Sequence, residues 1–118
     1  MQTKIYDIVV EAQEAAIKTV KPSVKAEEVD RAARKTIEDA GYCEYFTHRT
    51  GHGLGLEVHE EPYIAPGNTT VLKPGMTFTI EPGVYLAGKF GVRVEDDIAV
   101  STPEAKLLSN LSKELWVI

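Results

Sequence analysis

GVRVEDDIAV, residues 91–100, alternates apolar and polar side chains, the period-two pattern of a strand with one buried face. TFTIE, residues 77–81, alternates in the same way. Between them PGVYLAGKFG carries Gly83, Gly88 and Gly91 and reads as a turn or an irregular hairpin. The final ELWVI reads as a last strand. Upstream the texture changes. Ile5, Ile8, Val9, Ala12, Ala16 and Val20 recur at helical spacing, and Pro22 lies just past the pattern, where a helix should stop. In KAEEVDRAARKTIEDAGY, Val29, Ala32, Ala33, Ile37 and Ala40 line one stripe. Glu27 and Glu28 suit a helix N-terminus, and Gly41 suits the position after a helix end. Helices followed by strands predict an α+β domain, most simply an open sheet with both helices on one face.

The chain has 118 residues, enough for one domain with a single core. Its net charge is −5 and no basic cluster occurs, which argues against a nucleic-acid or anionic-membrane surface. No apolar run approaches membrane-spanning length. The N-terminal stretch reads as an amphipathic helix rather than a signal peptide. Cys43 is the one cysteine, so an internal disulfide framework is excluded. A lone thiol is more often a small packed residue than a nucleophile. These features fit a cytoplasmic protein. There is no internal repeat and no low-complexity tract.

All three histidines, His48, His52 and His59, lie in HRTGHGLGLEVHEEP, residues 48–62. Gly51, Gly53 and Gly55 sit among them, and each would cost a helix about 1 kcal/mol relative to Ala, so extended backbone is expected. On a strand His48 and His52 face the same side, and His59 joins them only if the chain bends. Glycines here also let a backbone approach a ligand closely. The stretch is not an HExxH zinc pattern, and neither GxSxG nor GxxxxGK[ST] occurs. Two carboxylates downstream add to it. Glu81 ends one strand and Glu95 lies within the next, sharing a face with Arg93. A carboxylate among apolar neighbours needs a partner, and a metal or an arginine would serve. The plainer alternative is an Arg–Glu pair on a solvent face.

HRTGHGLGLEVHEEPYI, LKPGMTFTIEPGVYL and GVRVEDDIAV, in this order and spacing, resemble the second half of the pita-bread metallopeptidases. These are the Xaa-Pro dipeptidases (prolidases) and Xaa-Pro aminopeptidases, with methionine aminopeptidases as relatives. The resemblance runs from the first helix to LWVI and favours the Xaa-Pro branch. It implies half of a pita-bread fold: two N-terminal helices on one face of a curved, mainly antiparallel sheet. It implies that His52, Glu81 and Glu95 are metal ligands, Glu95 bridging two ions and Glu81 serving also as general base. His48 and His59 match histidines that contact substrate and stabilise charge. Arg93 matches an arginine beside the bridging carboxylate. The implied cofactor is a divalent metal, Mn2+ or Co2+ with Zn2+ as a further choice, two per site in the family. Hard cations of this kind suit carboxylates plus an imidazole.

The family takes two further ligands from aspartates on an upstream strand. Asp7, Asp30 and Asp39 lie on predicted helices here and match nothing in that motif. The expectation is therefore one domain over residues 1–118, the second half of a catalytic unit whose upstream half is absent. It should bind at most one metal, weakly, and be inactive alone. The implied substrate is a peptide with proline in second position, and the implied partners are a second copy or the missing half. The alternative reading is a non-catalytic binding or assembly module on the same half-fold.

Overall fold

A computed structural model describes residues 2–46, 48–54, 60–86, 90–102, 104–108 and 113–117. Helix α1 spans Gln2–Thr19 and buries the expected stripe Ile5, Val9, Ala12 and Ala16, with Val20 just beyond its end. Helix α2 spans Ala26–Asp39 and packs along α1 through Ala26, Val29, Ala33 and Ile37, while Ala40 is exposed. Its first amides are covered by another segment: Ala26 and Glu27 donate to the carbonyls of Thr70 and Asn68, both at 2.8 Å. The Glu28 carboxylate accepts the Lys25 amide at 2.8 Å, one half of a capping box. At the other end Gly41 has φ +89°, its amide donates to Glu38, and the Tyr42 amide reaches back to Ile37. That is a Schellman stop, which explains the glycine after the stripe.

The described strands form two antiparallel sheets. One has the order β2-β1-β3-β6-β7, from β1 (Gly51–Gly53), β2 (Glu60–Ile64), β3 (Thr77–Ile80), β6 (Asp96–Ala99) and β7 (Lys106–Leu107). The other has the order β4-β5-β8, from β4 (Gly83–Leu86), β5 (Phe90–Val94) and β8 (Lys113–Val117). The expected hairpin is therefore β4–β5, with Tyr85 opposite Gly91, and the expected last strand pairs with β5.

Residues 91–100 do not form one strand. They change partners at Glu95, pairing with β4 before it and with β3 after it. Alternation nonetheless runs through unbroken: Val92, Val94, Asp96, Ile98 and Val100 are buried, while Arg93, Glu95, Asp97 and Ala99 are half-exposed. On the facing ribbon the change falls at Glu81–Pro82, and the Val94 amide donates to the Pro82 carbonyl at 3.3 Å. Both sheets share one helical cover, because α1 packs on β3, β4 and β5 and α2 packs on β2. Gln13 of α1 donates to Asp96 Oδ2 at 2.9 Å, pinning the helix over the junction. Phe78, Ile80, Val84, Val92 and Ile98 form the sheet side of the core. The half-exposed side chains at the junction thus face away from the helices. Among the described residues no helix is long and apolar enough to cross a membrane.

Candidate active site

His52 lies in the middle of β1, and its position depends on the glycines beside it. A Cβ on Gly51 would sit 1.8 Å from the Thr79 carbonyl oxygen, so only glycine fits where β1 crosses β3. The β1–β2 register shifts between Gly51 and Gly53, a local irregularity that re-aims the intervening side chain. The His52 amide donates to Thr79 Oγ1 at 3.1 Å. Gly51→Ala should therefore cost about 3 kcal/mol or more, since a backbone carbonyl must move. A urea midpoint equal to that of the unsubstituted chain would contradict this packing.

The His52 ring is oriented by its own strand. Nδ1 is 3.1 Å from the Gly53 carbonyl oxygen. A carbonyl only accepts, so Nδ1 carries hydrogen and neutral His52 turns the Nε2 lone pair outward. Nε2 stands 3.6 Å from Glu81 Oε2, with both side chains largely buried. Glu81 is held by its amide, which donates to the Thr50 carbonyl at 2.6 Å. Glu95 is nearby in electrostatic terms. Burial first, then the negative charge of Glu81, holds its carboxyl above the usual range, with Asp97 adding to this and Arg93 and His52 opposing it.

The structure thus brings His52 and Glu81 together, and Glu95 lies within reach of the charges of both and of Arg93. Among the described residues no three such side chains close into a metal-sized group. The donor chemistry nevertheless fits a divalent cation. Metal-bound histidines habitually donate their second nitrogen to a carbonyl, as His52 does. A carboxylate whose charge is penalised by burial and by a neighbouring carboxylate, as that of Glu95 is, is relieved by a cation.

His48 lies before β1. Its Nδ1 is 2.7 Å from the Arg49 carbonyl oxygen and its Nε2 is 3.0 Å from the Tyr85 hydroxyl. Burial lowers its pKa, as do Arg93 and Arg34, while the Arg49 carbonyl and Glu81 act the other way. His59 lies outside the described residues.

Two features were not anticipated from sequence. Tyr85, in β4, meets His48. Asp30, matched to no motif, is 1% exposed and ties α2 to the histidine stretch. It accepts from Arg34 at 2.9 and 3.0 Å and from Thr50 Oγ1 at 2.7 Å. Arg34 in turn donates to the Phe46 and His48 carbonyls at 3.4 and 3.1 Å, and its guanidinium lies 4.2 Å from the Phe46 ring centroid. An Asp and an Arg four apart within an apolar helical stripe was the available signal. Asp30→Ala should cost about 3 kcal/mol, because it strands a partly buried guanidinium and a buried hydroxyl. Chemical denaturation checks this, and a loss below about 1 kcal/mol would mean the clamp is incidental.

Residues 1–102 match the model of metallopeptidase family M24. The chain is 52% identical over 115 residues to an Xaa-Pro dipeptidase of Lactobacillus delbrueckii subsp. lactis, covering 98% of this chain and 31% of that one. It is 51% identical over 113 residues to the probable dipeptidase PepE of Mycobacterium tuberculosis strain H37Rv, covering 96% and 30%. The crystal structure of a recombinant prolidase from Thermococcus sibiricus superposes with a TM-score of 0.90 at 58% identity, over 95% of this chain and 30% of that one. The chain therefore spans about a third or less of these relatives, and its helices and sheets reproduce part of their pita-bread fold. On that match, the chain belongs to metallopeptidase family M24.

Proposed function

We propose that this chain supplies the second half of a catalytic unit that hydrolyses Xaa-Pro peptides with divalent metal, and that it is inactive without the first half. The observation that carries this reading is the approach of His52 Nε2 to Glu81 with Glu95 alongside. His52, Glu81 and Glu95 would hold the metal, manganese or cobalt before zinc on the chemistry of a mostly carboxylate set. When bound, such a cation lowers the pKa of water and polarises the scissile carbonyl.

The chain's own residues do the remainder. Glu81 takes the proton from the attacking water, and Arg93 counters the charge of Glu95. His48 and His59 border the peptide. Thr50 and Gly51 fix the backbone on which Glu81 and His52 depend. The first half of the unit, or a second copy of this chain, is the proposed partner. Exposed Leu54, and Leu107 and Leu108 at the β7 edge, support a surface that takes one. A single cysteine suits a reducing compartment and supports a cytoplasmic location. The non-catalytic alternative is not favoured, because the relatives named above are peptidases. The test is hydrolysis of an Xaa-Pro dipeptide by this chain joined to an upstream half. Turnover that is independent of added metal would refute the reading.

A further inference from the structure

We propose that Tyr85 and His48 form a preset pair, with His48 as its Nδ1–H tautomer accepting the tyrosine hydroxyl hydrogen. In this pair Tyr85 is a positioning residue for the imidazole, and His48 does not donate Nε2–H to a bound peptide. The functional half of this statement rests on the peptidase reading; the tautomer and the pairing do not.

The geometry fixes the tautomer from the Nδ1 side. The Arg49 carbonyl, 2.7 Å from Nδ1, can only accept, so the hydrogen of a neutral ring is on Nδ1. Nε2 is then an acceptor, and the group 3.0 Å away is a hydroxyl able to donate to it. Burial of the ring disfavours the doubly protonated alternative, in which both nitrogens would donate. The role implied by resemblance, an imidazole donating to developing negative charge, needs a hydrogen on Nε2. This arrangement leaves none there.

The tyrosine is seated independently of the histidine. Its ring lies over two glycines of the β4–β5 hairpin. A Cβ on Gly83 would fall 2.6 Å from the Tyr85 hydroxyl oxygen and 2.9 Å from its Cζ. A Cβ on Gly91, the cross-strand partner of Tyr85, would fall 2.7 Å from Cδ1. An aromatic ring covering strand glycines is a recognised way to fill the space they leave. Here it also directs the hydroxyl at His48. On the other side the His48 ring meets Phe46 edge-on, centroids 5.1 Å apart at 78°, and Arg34 holds the His48 carbonyl. The imidazole is thus held through its backbone, its neighbour, Nδ1 and Nε2.

The experiment is two-bond 1H–15N correlation spectroscopy of the histidine rings in the 15N-labelled 118-residue chain without added metal, with His48→Gln assigning the signals. The expected spectrum shows a protonated Nδ1 and an unprotonated Nε2 for His48. Tyr85→Phe, which removes one oxygen, should shift the Nε2 resonance toward that of a free acceptor nitrogen and leave the tautomer in place. Gly91→Ala should move Nε2 in the same direction by displacing the ring. An Nε2–H tautomer, a tautomer-averaged pattern, or an Nε2 signal unmoved by Tyr85→Phe would overturn the proposal. Should a variant fail to fold, the unsubstituted spectrum alone still decides the tautomer. Cation binding at His52 is read separately. A failed pair would leave that binding intact, and a failed peptidase reading would leave these spectra unchanged.

Discussion

His52→Ala should remove divalent-cation binding from the isolated 118-residue chain. Titration calorimetry with manganese, cobalt or zinc should find at most one site per chain before substitution. Its affinity should be weak, on the order of the 10⁻⁴–10⁻³ M of the loosest oxygen-rich protein sites. The reason is the donor set. One imidazole and one carboxylate approach within 3.6 Å, and Glu95 adds charge from beside them without closing a three-sided group among the described residues. In the proposed set His52 is the nitrogen donor, oriented by the Gly53 carbonyl, so its loss would leave carboxylates alone. Glu81→Gln should weaken binding by at least tenfold, about 1.4 kcal/mol, by neutralising the other member of the pair. Two tight metals per chain, or binding indifferent to His52→Ala, would refute the ligand assignment.

Local periodicity made the helices legible. The stripes of α1 and α2, Pro22 past the first and Gly41 past the second all depend on neighbours within a few residues. The shared face of Arg93 and Glu95 was legible for the same reason, since strand parity is local. What escaped the sequence was set by distant partners. Nothing in GVRVEDDIAV marks Glu95 as the point where β5 ends, because the alternation continues and only the pairing strand changes. β1 has three residues, two of them glycine, and its place follows from the fit of Gly51 against Thr79, 28 positions away. Asp30 matched no motif, and its role is set by Thr50, which meets it from 20 positions away. Tyr85 lies in the stretch that reads as a turn or irregular hairpin, and its partner lies 37 positions back. The proposed metal ligands were assigned chiefly by family resemblance. Spacing alone brought the histidines only as far as a plausible cluster.

The isolated chain should show no measurable cleavage of Xaa-Pro dipeptides, even with manganese added. The resemblance assigns two further ligands to paired aspartates on an upstream strand, and the aspartates present cannot stand in for them. Asp7 is exposed on α1. Asp30 is committed to Arg34 and Thr50, and Asp39 pairs with Lys35 at the exposed end of α2. Asp96 is buried beneath α1 with Gln13, and Asp97, half-exposed on the face of Glu95, is a single carboxylate rather than a pair. Without such a pair, two cations cannot be held close enough to share and activate one water. Co-expression with the remainder of the Lactobacillus Xaa-Pro dipeptidase supplies a complement, because this chain aligns with 31% of that protein at 52% identity. Activity should appear in the reassembled protein, and Glu81→Gln in this chain should lower it at least ~10²-fold, the usual contribution of a positioned general base. Turnover by the isolated chain that depends on Glu81 would show the upstream half to be dispensable. Reassembled activity that survives Glu81→Gln would remove Glu81 from the chemistry.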